Sequence, residues 1–255
     1  MQEELSLFDD SEYIDSKYEL QELQESTQLI KSKERVQHHG EVFTPKWMVQ
    51  KMLAEPAIQE KLHDLHATFL EPSAGEGAFL TEILHQKLNY VNEISTKNSW
   101  KNNALWALMS IYGIELLSDN LTKAKKKMLE VVANHYQAFM QSSLSEKTDF
   151  YKSVEVVIDV NIVQGNTLEY TNNEGELIEF SHWRPVDKLV KREPFTYKSL
   201  FNNDDIDDTE AALGQLSLFG EELGNARNYK LCELTKVYKE ELVQWVKIRN
   251  LCLMS

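Results

Sequence analysis

The chain has 255 residues, with 27 Lys and Arg against 41 Asp and Glu, for a formal net charge of −14. That length allows a sizeable core, and a composition 42% hydrophobic and 10% aromatic excludes global disorder. No apolar run approaches the ~20 residues that span a bilayer, so no membrane partner is expected. The acidic start Met1-Gln2-Glu3-Glu4 lacks the basic region of a signal peptide. Cys232 and Cys252 are too few for a disulfide framework, and together these features predict a cytoplasmic protein.

The acid is concentrated. Residues 1–30 carry nine acids and one Lys, and residues 202–222 carry seven acids and no base. The rest is nearly neutral. A charge of −14 therefore argues against a strongly basic DNA-binding face, but not against DNA contact borrowed from a partner.

In chain order, residues 1–35 read as an acidic arm with an amphipathic helical stretch from about Tyr13 to Arg35. Thr44-Pro45 reads as a helix start, Thr as cap and Pro at the first helical position, with the helix running to about Ala54. Ala67–Glu71 is expected as a strand, Ala78–Tyr90 as a helix and Asn92–Asn103 as a polar loop. An apolar segment, Ala104–Ser110, leads into the strand Ile111–Glu115, and Asn120–Tyr136 reads as a helix. Val154–Gln164 is rich in β-branched residues and is expected as a strand. Residues 171–200 offer at most a weak strand near Lys188–Val190. Residues 201–228 form an acidic linker, and Tyr229–Leu251 reads as a C-terminal helix. The alternation predicts an α/β fold with parallel strands and crossover helices.

The most informative segment is Glu71-Pro72-Ser73-Ala74-Gly75-Glu76-Gly77, an acid at a strand end followed by a glycine turn and a helix. Glycine lets a backbone approach a ligand closely. The carboxyl ends of strands are where open α/β sheets bind nucleotides. The dinucleotide fingerprint needs a third glycine where this chain has Leu80, and a Walker loop needs G-K-[ST], so neither NAD nor ATP is indicated. Taken alone, such a turn after a strand is more often just a turn.

This segment resembles the first motif, (D/E)-P-x-x-G-x-G, of the S-adenosylmethionine-dependent DNA N6-adenine methyltransferases of restriction–modification systems. Three further pieces follow the family's order. Gly40-Glu41-Val42-Phe43-Thr44-Pro45 resembles the segment just upstream, whose aromatic–Thr–Pro start helps hold the cofactor's amino-acid end. Tyr112-Gly113-Ile114-Glu115 resembles the second motif, whose acid binds both ribose hydroxyls. Val163-Gln164-Gly165-Asn166-Thr167-Leu168 resembles the third, whose polar residue reaches the adenine; the family usually has Asp where this chain has Asn166. The resemblance covers roughly residues 36–170. It implies S-adenosylmethionine bound through Phe43, Thr44, Glu71, Pro72, Gly75, Gly77, Glu115 and Asn166.

The family's fourth motif, [D/N/S]-P-P-[Y/F/W], supplies hydrogen-bond acceptors for the target amine and a ring that stacks on the flipped base. Here the prolines are Pro45, Pro56, Pro72, Pro185 and Pro194, none adjacent to another. Arg192-Glu193-Pro194-Phe195 is the nearest candidate, but guanidinium offers only donors. No catalytic residue and no metal ligand set is assigned. His38-His39 has no partnering cluster, and Lys123, Lys125, Lys126 and Lys127 read first as a solvated helix face.

Gln215-Leu216-Ser217-Leu218-Phe219 matches the short Q-L-[S/D]-L-F peptide by which bacterial replication and repair proteins dock on the sliding clamp, and Glu4–Phe8 nearly repeats it. The expectation is a Rossmann-like class I methyltransferase fold, incomplete, over residues 36–200, with N- and C-terminal helical extensions. Its function would be that of a DNA adenine-N6 methyltransferase subunit, with DNA reached through a partner subunit. The alternative is a catalytically inactive methyltransferase-like binding protein recruited to DNA through the sliding clamp.

Overall fold

A computed structural model describes residues 44–201, 228–239 and 241. The elements are α1 (Lys46–Leu53), α2 (Pro56–Leu62), β1 (Phe69–Glu71), α3 (Ala78–Ile94), α4 (Trp100–Met109), β2 (Ile111–Glu115), α5 (Ser118–Met140), α6 (Asp149–Asn161), β3 (Ile162–Gln164), β4 (Glu179–Val186) and β5 (Leu189–Thr196). Two 3-10 segments, Tyr197–Phe201 and Leu234–Lys239, complete the described chain. No helix among the described residues is long and apolar enough to cross a membrane.

The three parallel strands run in the order β1-β2-β3, with Phe69 opposite Ile111 and Gly113 opposite Ile162. This is a mixed α/β fold, as expected. Strand β2 is buried along its whole length because both of its faces are covered. On one face a Cβ at Gly113 would stand 2.9 Å from Leu80 of α3, so glycine lets the helix close onto the sheet. On the other face Tyr112 and Ile114 pack with Phe180, Phe195 and Tyr197, so the β4–β5 hairpin forms the opposing layer. The Tyr112 hydroxyl donates to the Ser181 carbonyl at 3.2 Å, and burial raises its pKa.

Several expectations are corrected. Residues Val154–Asn161 are helical, and strand character is confined to Ile162–Gln164. Phe150, Val154, Val157 and Ile158 are buried at helical spacing, and the Thr148 hydroxyl caps the helix by accepting from the Tyr151 amide. Packing of that stripe overrides the modest helix penalty of β-branched residues. The polar loop over Asn92–Asn103 is instead the end of α3 and the start of α4. Pro45 occupies the N-cap of α1 and Thr44 makes no capping bond. The weak strand near Lys188–Val190 is the start of β5, in a full antiparallel hairpin.

Tyr229–Glu233 is not helical. Cys232 bridges to Val190, and Leu234–Lys239 is 3-10, with Leu234 and Val237 in the core. Residues 228–239 therefore pack on the main body at the hairpin. The linker 202–227, the arm 1–43 and the remainder of the expected C-terminal helix lie outside the described residues.

A directed hydrogen-bond chain joins α3, α4 and α5. Trp100 Nε1 donates to Asn92 Oδ1 at 2.7 Å. That fixes the amide so that Asn92 Nδ2 donates to His135 Nδ1 at 3.1 Å. His135 Nε2 then donates to His85 Nδ1 at 2.9 Å. In this arrangement His135 is neutral, and burial together with His85 lowers its pKa from 6.5 to about 4. Between these two values the unfolded chain binds the proton and the folded chain does not. Stability therefore falls as pH drops from about 6.5 toward 4, by up to about 1.4 kcal/mol per pH unit from this group. Urea midpoints across that range should fall in the wild type and flatten in His135→Gln.

Candidate functional site

The acid-and-glycine segments identified in the sequence meet at the carboxyl ends of β1, β2 and β3. After β1 the chain turns through Gly75 at φ 54° and Gly77 at φ 85°, left-handed conformations that an L side chain resists. The Ala74 amide donates to the Ile114 carbonyl at 2.9 Å, fastening the turn to β2. A Cβ at Gly77 would stand 2.9 Å from the Ala124 Cβ and 3.0 Å from its Cα, so Gly77 lets the turn lie against the backbone of α5. Gly75 has no atom within 4 Å of its would-be Cβ and so faces open space.

Glu71 ends β1, partly buried, and its Oε1 accepts from the Ser73 amide at 3.0 Å. Burial raises its pKa, partly offset by that amide. A desolvated carboxylate of this kind favours a cationic ligand group, which would restore the stabilisation that water no longer gives.

Glu115 ends β2, 6% exposed. Its Oε2 accepts from the Gly75 amide at 2.7 Å. Its Oε1 accepts from the Leu117 amide at 2.9 Å and from Asn120 Nδ2 at 3.4 Å. The acid thus binds the glycine turn, forty positions earlier in the chain.

Asn166 follows β3. Its amide donates to the Thr171 carbonyl at 2.8 Å, and its Oδ1 accepts from the Leu168 amide at 3.0 Å. The neighbouring Thr167 hydroxyl donates to the Pro72 carbonyl at 2.5 Å, tying the loop after β3 to the turn after β1. Glu71, Pro72, Gly75, Gly77, Glu115 and Asn166 are therefore brought to one end of the sheet. Thr44 precedes α1, which reaches α3 through the bond from Gln50 Nε2 to Glu82 Oε1 at 3.3 Å. Phe43 and Gln215–Phe219 lie outside the described residues.

Sequence reasoning missed Asn120, Ala124 and Thr167. Thr167 stood within the third motif-like segment, so proximity to Asn166 was the available signal. Asn120 and Ala124 act through α5, and only three-dimensional proximity identifies them.

The lysines on α5 are taken up by acids. Lys123 and Lys127 pair with Glu76 of the glycine turn at 2.7 and 3.1 Å, Lys125 with Asp159 at 2.9 Å and Lys126 with Glu130 at 3.8 Å. The first two pairs hold the outer side of the turn to α5. Each is at least partly exposed and contributes on the order of 0–1 kcal/mol.

Arg192-Glu193-Pro194-Phe195 lies within β5, not in a loop at the end of a parallel strand. Arg192 Nε donates to Ser181 Oγ at 2.8 Å, and its guanidinium stands 4.4 Å from the Tyr229 ring centroid. Phe195 is 7% exposed, on the face of the hairpin that packs against Tyr112. A separate apolar pocket of about 80 Å³ lies on the hairpin side of β1, between Leu70, Tyr112, Phe180, His182, Phe195 and Leu200. Among the described residues no cluster of three or more His, Cys, Asp or Glu could hold a metal ion.

Comparison with protein-family models, with curated proteins and with solved structures finds no match to this chain.

Proposed function

We propose that this chain is the S-adenosylmethionine-binding subunit of a DNA adenine-N6 methylation or restriction–modification system, with a Rossmann-like methyltransferase core. The observation that carries the reading is the meeting of Glu71, the Gly75–Gly77 turn, Glu115 and Asn166 at the carboxyl ends of three adjacent parallel strands. Open α/β sheets bind nucleotides in that position. The acids and the amide are the acceptors that an ammonium, a ribose diol and an exocyclic amine require.

In this reading Glu71 faces the ligand's cationic amino-acid end. The Gly75 backbone offers room for close approach, Glu115 recognises the ribose and Asn166 the adenine. The bound group supplies an activated methyl on a sulfonium. The chain's own residues bind and orient it; the acceptors that aim the target amine, and the DNA contacts, come from a partner. A nearly neutral body whose α5 lysines are paired with acids suits such a division of labour.

Calorimetry with S-adenosylmethionine tests this. Binding is expected in the wild type. Glu71→Gln, nearly the same size but uncharged, should weaken it by about tenfold or more, since a hydrogen bond to a charged group contributes ~1.5–3 kcal/mol. An absence of heat from folded wild type would remove the reading.

A second reading is a catalytically inactive binding protein that keeps the pocket and reaches DNA through the sliding clamp. What favours it is the engagement of Arg192–Phe195 within the hairpin, which leaves no amine-orienting proline pair among the described residues. Methylation of adenine in DNA by the purified chain alone would reject it. Equal capture of purified clamp by wild type and by a Leu218→Ala, Phe219→Ala double variant would reject the clamp contact.

A further inference from the structure

We propose that the pocket between β1 and the β4–β5 hairpin is a docking site for an acidic polypeptide partner, which seats one leucine-sized aliphatic side chain in it.

The pocket is preformed. Its volume is about 80 Å³, its apolar walls come from Leu70, Tyr112, Phe180, Phe195 and Leu200, and Thr68 and His182 are its polar lining. The three rings brace one another at centroid distances of 5.3 to 5.7 Å. The Tyr112 hydroxyl is also tied to the Ser181 carbonyl, so the walls cannot close cheaply on the space between them. Leu70 is exposed and Leu200 half-buried, which leaves apolar lining in contact with water.

The volume selects the anchor. An apolar cavity of about 150 Å³ accepts a benzene ring. About half that space suits the four carbons of a leucine or isoleucine and is too small for an aromatic ring. Nucleic acid carries no aliphatic group of that size. Burial of four carbons falls short of millimolar affinity by itself, so the rest of the binding must come from groups outside the pocket.

Charge supplies it. Residues 181–201 hold five bases, Arg184, Lys188, Lys191, Arg192 and Lys198, against two acids, Asp187 and Glu193, in a chain of net charge −14. Arg184 is paired with Glu193 at 3.0 Å. Lys188 and Lys198 are exposed and make no ion pair among the described residues. Lys191 Nζ donates to a neutral acceptor, the Tyr229 carbonyl, at 2.7 Å. Lys198 stands two positions before Leu200 of the pocket wall, and Lys188 stands at the hairpin turn. Positive charge therefore extends from the pocket wall to the far end of the hairpin. An extended acidic peptide can follow that length and a small molecule cannot.

The test titrates the full chain, ¹³C-labelled at its leucine methyls, with the end-blocked synthetic peptide Asp-Glu-Leu-Asp-Glu. The Leu70 and Leu200 methyls are assigned by their loss in Leu70→Met and Leu200→Met, and both should shift to saturation. Asp-Glu-Ala-Asp-Glu should bind about tenfold more weakly or worse, because it lacks the branched carbons that the pocket buries. Lys-Lys-Leu-Lys-Lys should not bind. The exposed substitution Lys198→Glu should weaken the acidic peptide by about two- to fivefold. Equal affinity of the leucine and alanine peptides, equal shifts with the cationic peptide, or unchanged affinity in Lys198→Glu would overturn the proposal. Saturation of the same methyls by oligothymidylate and not by the acidic peptide would overturn it in favour of nucleic acid. An absence of shifts with every probe would overturn it too, and contacts from these methyls to residues 202–227 in the free chain would then make the chain's own acidic segment the occupant.

Discussion

Replacing Gly77 by alanine should cost about 3 kcal/mol of folding stability, whereas the same change at Gly75 should cost about 1 kcal/mol. Both residues occupy positive φ, at 85° and 54°, so each variant pays ~1–2 kcal/mol of backbone strain. They differ in what the new methyl meets. At Gly77 it would lie 2.9 Å from the Ala124 Cβ and 3.0 Å from its Cα, and backbone within a long helix cannot yield cheaply. At Gly75 it would enter open space. Denaturant midpoints of the two variants give the ordering directly. Losses equal within error would show that α5 does not press on the turn. Under the proposed function, ligand affinity should follow a different order, because Gly75→Leu fills the space beside the turn and should abolish the proposed binding of S-adenosylmethionine in a folded protein.

The second large effect is expected at Lys87. This side chain is fully buried, and its Nζ donates to the Asp64 carbonyl at 2.7 Å, the Ala67 carbonyl at 2.8 Å and Ser110 Oγ at 2.9 Å. It fastens the segment entering β1 to α3 and to the residue before β2. Burial lowers its pKa from 10.5 to about 7, against a smaller opposing pull from Asp64. Between these values the unfolded chain holds the proton and the folded chain releases it. Wild-type stability should therefore rise from about pH 7 toward 10.5, at up to about 1.4 kcal/mol per unit from this group, and be flat with respect to it below 7. Lys87→Met should remove that rise. It should also cost about 2–4 kcal/mol at pH 9, because the acceptors it leaves behind are buried. Urea unfolding of both proteins from pH 6.5 to 9.5 measures the two effects together. Parallel wild-type and variant curves would show that Lys87 keeps an ordinary lysine proton in the folded state.

The legible parts of the molecule are those governed by local backbone demands. A glycine pair after a short apolar strand has few conformational alternatives, and the Gly75–Gly77 turn was placed correctly with the acids at the ends of β1 and β2. Helix α6 was misread because Val154, Val156, Val157, Ile158 and Val160 carry strand propensity, while the Phe150–Val154–Val157–Ile158 spacing carries the burial pattern that prevails. The β4–β5 hairpin was hidden for another reason. Pro185 and Pro194 interrupt its strands, and its turn sets Asp187 at φ 54° without the glycine that usually announces such a turn. The site was legible as residue types in order. The engagement of Glu115 with Gly75 was not, since it joins segments forty positions apart and depends on strand register.

The sheet order also has a kinetic meaning. Each parallel pairing, Phe69 with Ile111 and Gly113 with Ile162, closes a loop of about forty to fifty residues, while the hairpin joins Val186 to Leu189 across two. Loop closure of that length must precede any sheet contact, so the hairpin can form early and the sheet late. Tyr112 and Ile114 then arrive on an apolar surface that is already assembled. The meeting of Glu71, the glycine turn, Glu115 and Asn166, which needs all three strand ends in register, would be among the last parts of the molecule to exist.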